Sequence, residues 1–142
     1  MKYILDANVI IRFLTQDHPV HSPMAFELFK KAVRKEITLY LDTLVVSECV
    51  FVLNGKNYGF TKTEIAENLV KVIEFAGIEC PDKNLLVTAL EMFARYNIDF
   101  TDAYLSAKSE IEPSSVVITF NTKDFNRTGV NNITPLEIVE RQ

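Results

Sequence analysis

The stretch Lys2-Tyr3-Ile4-Leu5-Asp6 decides the fold. A short β-prone run stops on a carboxylate, which reads as a first strand delivering an acid to its carboxyl end. The chain resumes as helix from Asn8 to Leu14, and His18-Pro19 breaks it. The same alternation recurs. Ile37 to Leu41 reads as a second strand, Ile78 to Cys80 as a very short third, and Val116 to Phe120 as a fourth, with a short last one near Ile133-Thr134. The fourth is apolar enough to be buried on both faces. Short apolar strands alternating with helices imply right-handed βαβ crossovers and a mostly parallel sheet, hence an α/β domain.

The intervening segments carry helix punctuation. Ser22 is positioned to cap a second helix with Pro23 at its first position. Asp42 or Thr43 caps a helix running to about Leu53, where Asn54-Gly55 ends it. Thr61-Lys62-Thr63-Glu64 has capping-box spacing and opens a helix to about Phe75. Pro81-Asp82 starts another, with Leu85, Leu86, Ala89, Leu90 and Phe93 on its apolar stripe. Thr101 is the expected cap of the helix that runs to about Ile111.

A length of 142 residues is one domain's worth, so residues 1–142 are expected to form a single domain. Hydrophobic residues at 48% and charged residues at 24% exclude wholesale disorder. The formal net charge of -4 excludes a protein that grips polyanions through a broadly basic surface. Cys49 and Cys80 are too few and too far apart for a disulfide framework or a zinc site. The acid at position 6 interrupts any secretory signal, and no apolar run reaches the about 18 residues of a membrane span. The expectation is a soluble cytoplasmic protein without membrane contact.

In parallel α/β sheets the working site lies beyond the carboxyl ends of the strands. Asp6 stands there, either as a crevice carboxylate or as a helix cap. Glu48 lies in Leu44 to Leu53, a helix so uniformly apolar that burial is expected, and no basic residue occurs between Lys35 and Lys56 to pair with it. Asp99 and Asp102 bracket a helix start, where either can simply favour the helix dipole. Thr119 and Asn121 leave the fourth strand on one face, and Asp124 follows in what reads as a polar loop. An oxygen-only set of this kind suits Mg²⁺ or Mn²⁺ rather than zinc, and phosphodiester hydrolysis suits such a metal. His18 and His21 read as surface residues, and there is no phosphate-binding glycine loop and no nucleophile elbow.

Taken together, Ile4-Leu5-Asp6-Ala7-Asn8, Ser47-Glu48, Asp99-Phe100-Thr101-Asp102-Ala103 and Thr119-Phe120-Asn121-Thr122-Lys123-Asp124-Phe125 resemble a PIN domain. Within that family they are most similar to the VapC-type toxin ribonucleases of toxin–antitoxin pairs. The resemblance spans essentially the whole chain. It implies a three-layer α/β/α sandwich with a central, mostly parallel sheet. It also implies a Mg²⁺- or Mn²⁺-dependent endoribonuclease, usually a homodimer, with a cognate antitoxin protein as partner. Asp6, Glu48 and Asp102 match the three core acids that hold metal, Asp99 an acid just ahead of the third, and Thr119 the hydroxyl residue that supports the first. Asn8 completes the first motif as a supporting residue. Many members carry Asp where Asn121 stands. Asn121 offers a carbonyl oxygen without charge, and Asp124 either supplies the missing acid or fixes the loop.

RNA must also be held. The run Lys30, Lys31, Arg34 and Lys35 reads as a solvated helix face, while Arg12 and Lys123, beside the motifs, are the better candidates for phosphate contacts. Two other classes compete. A haloacid-dehalogenase-like phosphatase expects a second Asp where Asn8 stands. A non-catalytic PIN-like module that binds RNA or protein is compatible with Asn121. Asp6, Glu48, Asp99 and Asp102 carry as much negative charge as the whole net excess, so the acidity does not argue against RNA.

Overall fold

The computed structural model describes residues 2–140, and Met1, Arg141 and Gln142 lie outside that range. The protein is α/β, with helices flanking small parallel sheets, as the strand–helix alternation predicts. The chain divides into two compact units, one through Lys83 and one from Asn84.

The first unit runs β1 (Lys2–Ile4), α1 (Ala7–Thr15), α2 (His21–Val33), β2 (Thr38–Tyr40), α3 (Thr43–Leu53), α4 (Lys62–Glu74) and β3 (Ile78–Glu79). The strands form a parallel sheet in the order β1-β2-β3, with Tyr3 opposite Leu39 and Leu39 opposite Ile78. Leu39, Leu41, Ile10, Ile11, Phe29, Leu53, Ile65 and Leu69 are buried and form its core. Phe13 packs on Phe29 at 4.5 Å between ring centres and meets Phe75 edge-on at 5.9 Å, tying α1 and α2 to the end of α4. Most ends follow sequence chemistry. Asp42 caps α3 by accepting from Leu44 N–H at 2.9 Å. Thr61 and Glu64 make both hydrogen bonds of the capping box at α4. The start of α2 differs from expectation. It begins at His21, and the His18 imidazole Nδ1 accepts from the backbone N–H of Val20 and of His21, at 3.2 and 2.9 Å. The histidine thereby takes the capping role expected of Ser22, whose hydroxyl instead accepts from His18 N–H at 3.2 Å.

One charge cluster closes this unit. Asp17, just past α1, accepts from Arg12 Nη1 at 3.0 and 2.9 Å, from Thr15 Oγ1 at 2.7 Å and from Tyr58 Oη at 2.8 Å. These bonds, that from Thr15 first, then Tyr58 and Arg12, hold the Asp17 carboxyl well below the usual carboxylate range. A depressed acid stabilises the fold above its unfolded pKa and loses that contribution as the pH falls through its folded value. Asp17→Asn is therefore expected to lower the melting temperature at pH 7. The gap should close under increasing acidity, starting below about pH 4. Thermal scans of both proteins across pH check this, and a gap that persists at low pH contradicts it.

The second unit comprises α5 (Lys83–Tyr96, whose first residue belongs to the first unit), α6 (Phe100–Ile111), β4 (Val117–Ile118), α7 (Thr122–Thr128), β5 (Asn132–Ile133) and α8 (Pro135–Val139). β4 and β5 pair in parallel, Ile118 opposite Ile133. Leu86, Leu90, Phe93, Ala103, Ala107 and Phe125 are buried. Three sequence expectations are corrected here. Asp99, with extended backbone, is the cap residue of α6, which starts at Phe100, before Thr101. The fourth strand is not buried on both faces: Ile118 is 57% and Phe120 86% exposed. Its hydrogen-bonded ladder joins β5 on one side, and the face of positions 116, 118 and 120 stays open. The segment read as a polar loop is α7, seated by buried Phe125 and stopped by Gly129 in the left-handed conformation. Seven residues are too few for helical periodicity to show in the sequence.

Candidate active site

In the first unit Asp6 sits at the end of the β1 segment and caps α1, its Oδ1 accepting from Ala7 N–H at 2.8 Å. Both roles read from the sequence, strand-end acid and helix cap, therefore fall on one exposed side chain. Glu48 lies on α3, whose burial differs from expectation. The helix is not buried all round: Val46, Cys49, Val50 and Leu53 face the core, while Leu44 is 79% and Phe51 81% exposed. Glu48 shares that outer face at helical spacing, so it needs no buried partner. The two acids are neighbours nonetheless. The Cys49 Sγ lies 3.9 Å from the Ala7 carbonyl, seating α3 on the first turn of α1. The Cys49 thiol is pushed up to about 12 by burial first, then by the negative charges of Glu48 and Asp6. A thiol so placed is an inert core group.

In the second unit, four of the sequence candidates come together. Asp102 occupies the first turn of α6, three residues beyond Asp99. Asn121 Nδ2 donates to Asp124 Oδ2 at 2.8 Å and to Asp102 Oδ2 at 3.4 Å. Thr119 Oγ1 accepts from Asn121 N–H at 2.9 Å, fixing the turn between β4 and α7. One turn further along both helices, buried Ser106 and Thr128 share a hydrogen bond of 2.9 Å. The two contacts make α6 and α7 lie side by side with their N-termini together. Neither Asp99 nor Asn121 caps the backbone of its own helix with its side chain, although both hold cap positions and are good capping residues. Partial burial, and then the charges of Asp99 and Asp124, raise the Asp102 pKa above the ordinary aspartate value, against the opposing hydrogen bond from Asn121.

The chemistry of these side chains suits a hard cation. The donors are carboxylate and amide oxygens, the set that Mg²⁺ and Mn²⁺ prefer, and a cation would relieve the mutual repulsion that raises Asp102. Among the described residues no group of three or more His, Cys, Asp or Glu side chains is placed to hold a metal ion. A cation of this kind keeps several waters and needs only one or two carboxylates directly.

Of the phosphate-contact candidates, Lys123 is exposed on α7, and Arg12 is engaged by Asp17 and Tyr58. Lys31, Arg34 and Lys35 are exposed, a solvated face as read. No local pattern marks Tyr58, which lies 46 positions from its partner Arg12. Nor did it mark the Ser106–Thr128 bond that aligns the helices carrying Asp102 and Asp124.

A parallel α/β chain with acids at strand ends and helix starts is the architecture of a nuclease of the PIN class. The PIN-domain family model matches residues 3–131, and the chain belongs to that family. In a comparison with curated proteins, none matches the chain. PIN domains form a nuclease superfamily and generally work with Mg²⁺ or Mn²⁺. Among the described residues no helix is long and apolar enough to cross a membrane.

Proposed function

We propose that this protein is a metal-dependent endoribonuclease, the toxin of a toxin–antitoxin pair, working as one catalytic domain in the cytoplasm. The observation that carries the reading is the family match through residues 3–131, which includes every candidate acid. Asp6, Glu48 and Asp102 are the acids that would hold Mg²⁺ or Mn²⁺. When bound, the ion would supply Lewis-acid stabilisation of the phosphate and a more acidic water. Asp99 adds negative charge beside Asp102, and Asn121 ties Asp124 to it. Lys123, exposed at the start of α7, is available for an RNA phosphate. An antitoxin and a second copy of the chain are the partners. The exposed Leu44 and Phe51 on α3 are the kind of surface a protein partner covers.

The test is cleavage of RNA by purified protein, with and without chelator. Cleavage should vanish with EDTA and return with Mn²⁺ or Mg²⁺, while small phosphate esters stay intact. Turnover of the esters instead favours the phosphatase reading. Absence of both cleavage and calorimetric metal binding leaves the non-catalytic module.

A further inference from the structure

We propose that Ser106 and Thr128 are positioning residues: their buried hydrogen bond fixes α7 against α6, so that Asp102 and Asp124 are held at one spacing for a divalent ion before it binds. The proposal deepens the metal-dependent reading above and rests on it. The two hydroxyl oxygens are 2.9 Å apart. Ser106 is fully buried, and Thr128 is 9% exposed.

The direction of the bond follows from the other one that Thr128 makes. Its Oγ1 donates to the Phe125 carbonyl at 3.0 Å. A hydroxyl has one hydrogen, so Thr128 accepts here and Ser106 donates. Ser106 thus spends its hydrogen across the helix pair and not on the carbonyl four residues back in its own helix, a common outlet for a helical serine.

This bond can set the register of α7. The helix has seven residues and buries only Phe125 and Thr128. One aromatic anchor leaves a short helix free to slide and turn, and a directional bond at Thr128 removes both freedoms. The other buried residues of α6 are Phe100, Ala103 and Ala107. Apolar side chains pack in several registers, whereas a hydroxyl pair that is costly to bury unpaired is satisfied in one.

The register matters because of what lies one turn away. Ser106 follows Asp102 by four residues, and Thr128 follows Asp124 by four. Each offset is about 6 Å of helix axis and keeps the two residues on one face. With the helix starts together, equal offsets bring the two acids level. There Asn121 Nδ2 donates to Asp124 Oδ2 at 2.8 Å and to Asp102 Oδ2 at 3.4 Å. The longer bond stands at the edge of hydrogen-bonding range, so a slip of about 1 Å breaks it. The negative charges of Asp99 and Asp124 push against that of Asp102. The hydroxyl pair opposes this repulsion while no ion is present.

The experiment compares the full-length wild type with Ser106→Ala, Thr128→Val, the double variant and Thr128→Ser, each checked for folding by circular dichroism. Mn²⁺ affinity is measured by calorimetry. The side-chain amide of Asn121 is followed by NMR in metal-free, ¹⁵N-labelled protein. Ser106→Ala and Thr128→Val should each weaken Mn²⁺ binding about tenfold, as loss of a group that orients a metal ligand does. Both should move the Asn121 amide signals. The double variant should be no weaker than either single one, because the two hydroxyls act as a unit. Thr128→Ser keeps the hydroxyl and loses a methyl, so it should keep wild-type Mn²⁺ affinity even where it melts lower. Ser106→Ala and Thr128→Val proteins that melt lower but bind Mn²⁺ like wild type overturn the proposal and leave the pair a packing contact. So does a Thr128→Ser protein that binds as weakly as Thr128→Val. The metal-free amide signals separate this proposal from the reading it rests on. If wild type binds no Mn²⁺ but both variants move the Asn121 amide, positioning of the acids is supported and the metal-dependent reading falls. If wild type binds Mn²⁺ and neither variant changes the amide or the affinity, positioning alone falls.

Discussion

Asp102→Asn is expected to cut metal-dependent RNA cleavage about a thousandfold and, at the same time, to make the metal-free protein more stable at pH 7. The first effect follows from removing a carboxylate that would hold the ion, with roughly 4 kcal/mol of transition-state stabilisation lost. The second follows from the electrostatics. Asp102 has a raised pKa because partial burial and the charges of Asp99 and Asp124 disfavour its ionised form. The native state therefore holds its proton more tightly than the unfolded chain does. Stability falls as the pH rises from the ordinary aspartate value through the raised one, and the deficit is complete above it. Asparagine cannot ionise, and it keeps an oxygen for the Asn121 amide. The melting temperatures of wild type and variant should coincide well below pH 4 and separate above the raised pKa, the variant being higher. Mn²⁺ should raise the melting temperature of wild type and do little for the variant, because an ion that binds only the folded state stabilises it by mass action. A variant less stable than wild type at pH 7, or one with intact cleavage, contradicts this account. Asp6→Asn tests the first unit's acid in the same assay, and unchanged cleavage would remove Asp6 from the site.

Gly77→Ala is expected to destabilise the fold by about 4 kcal/mol, among the larger effects of single substitutions. Gly77 has φ +83°, a conformation costing any other residue roughly 1–2 kcal/mol. A Cβ there would lie 2.1 Å from the Ala32 carbonyl oxygen and 2.6 Å from its carbon. Both obstacles are backbone, at the end of α2, where Lys35 N–H already binds that oxygen at 2.8 Å. On its other side Gly77 O accepts from Leu39 N–H at 2.8 Å, joining the approach to β3 to β2. Relief of the clash requires α2 to part from β3, which opens the Phe29–Phe75 contact. Urea or thermal unfolding followed by circular dichroism reads the loss. Gly59→Ala is the control. Its φ is also positive, but a Cβ would meet nothing within 4 Å, so only the conformational cost of about 1 kcal/mol is expected. Equal losses in the two variants would mean that close packing at Gly77 contributes nothing.

Much of the frame was legible because its signals are local. Asp42, Thr61 with Glu64, and the Asn54-Gly55 stop mark helix ends through bonds spanning at most four residues, and α3 and α4 fall where they point. The alternation of short apolar strands with helices gave the parallel α/β class. The same local logic failed where a more distant or less usual partner intervened. His18 took the capping role assigned to Ser22, because an imidazole nitrogen can accept from the same N–H groups. Glu48 stands on a uniformly apolar helix, yet composition says nothing about which side of a helix finds a core to cover it. Leu44 and Phe51 find none.

By itself, then, the sequence determined the class of fold and marked the candidate acids. Both are written in short, repeating patterns of polarity and in acids placed after a strand, on a helix or at a helix start. Only the tertiary structure decided what those acids touch. It gave the Asn121 amide to Asp124 and Asp102, aligned α6 with α7 through Ser106 and Thr128, and pinned Arg12 with Asp17 and Tyr58. Except for Arg12 with Asp17 and Asn121 with Asp124, these pairs stand 19 or more positions apart. A hydrogen bond of 3 Å depends on how whole helices pack, and no local pattern of residues encodes that.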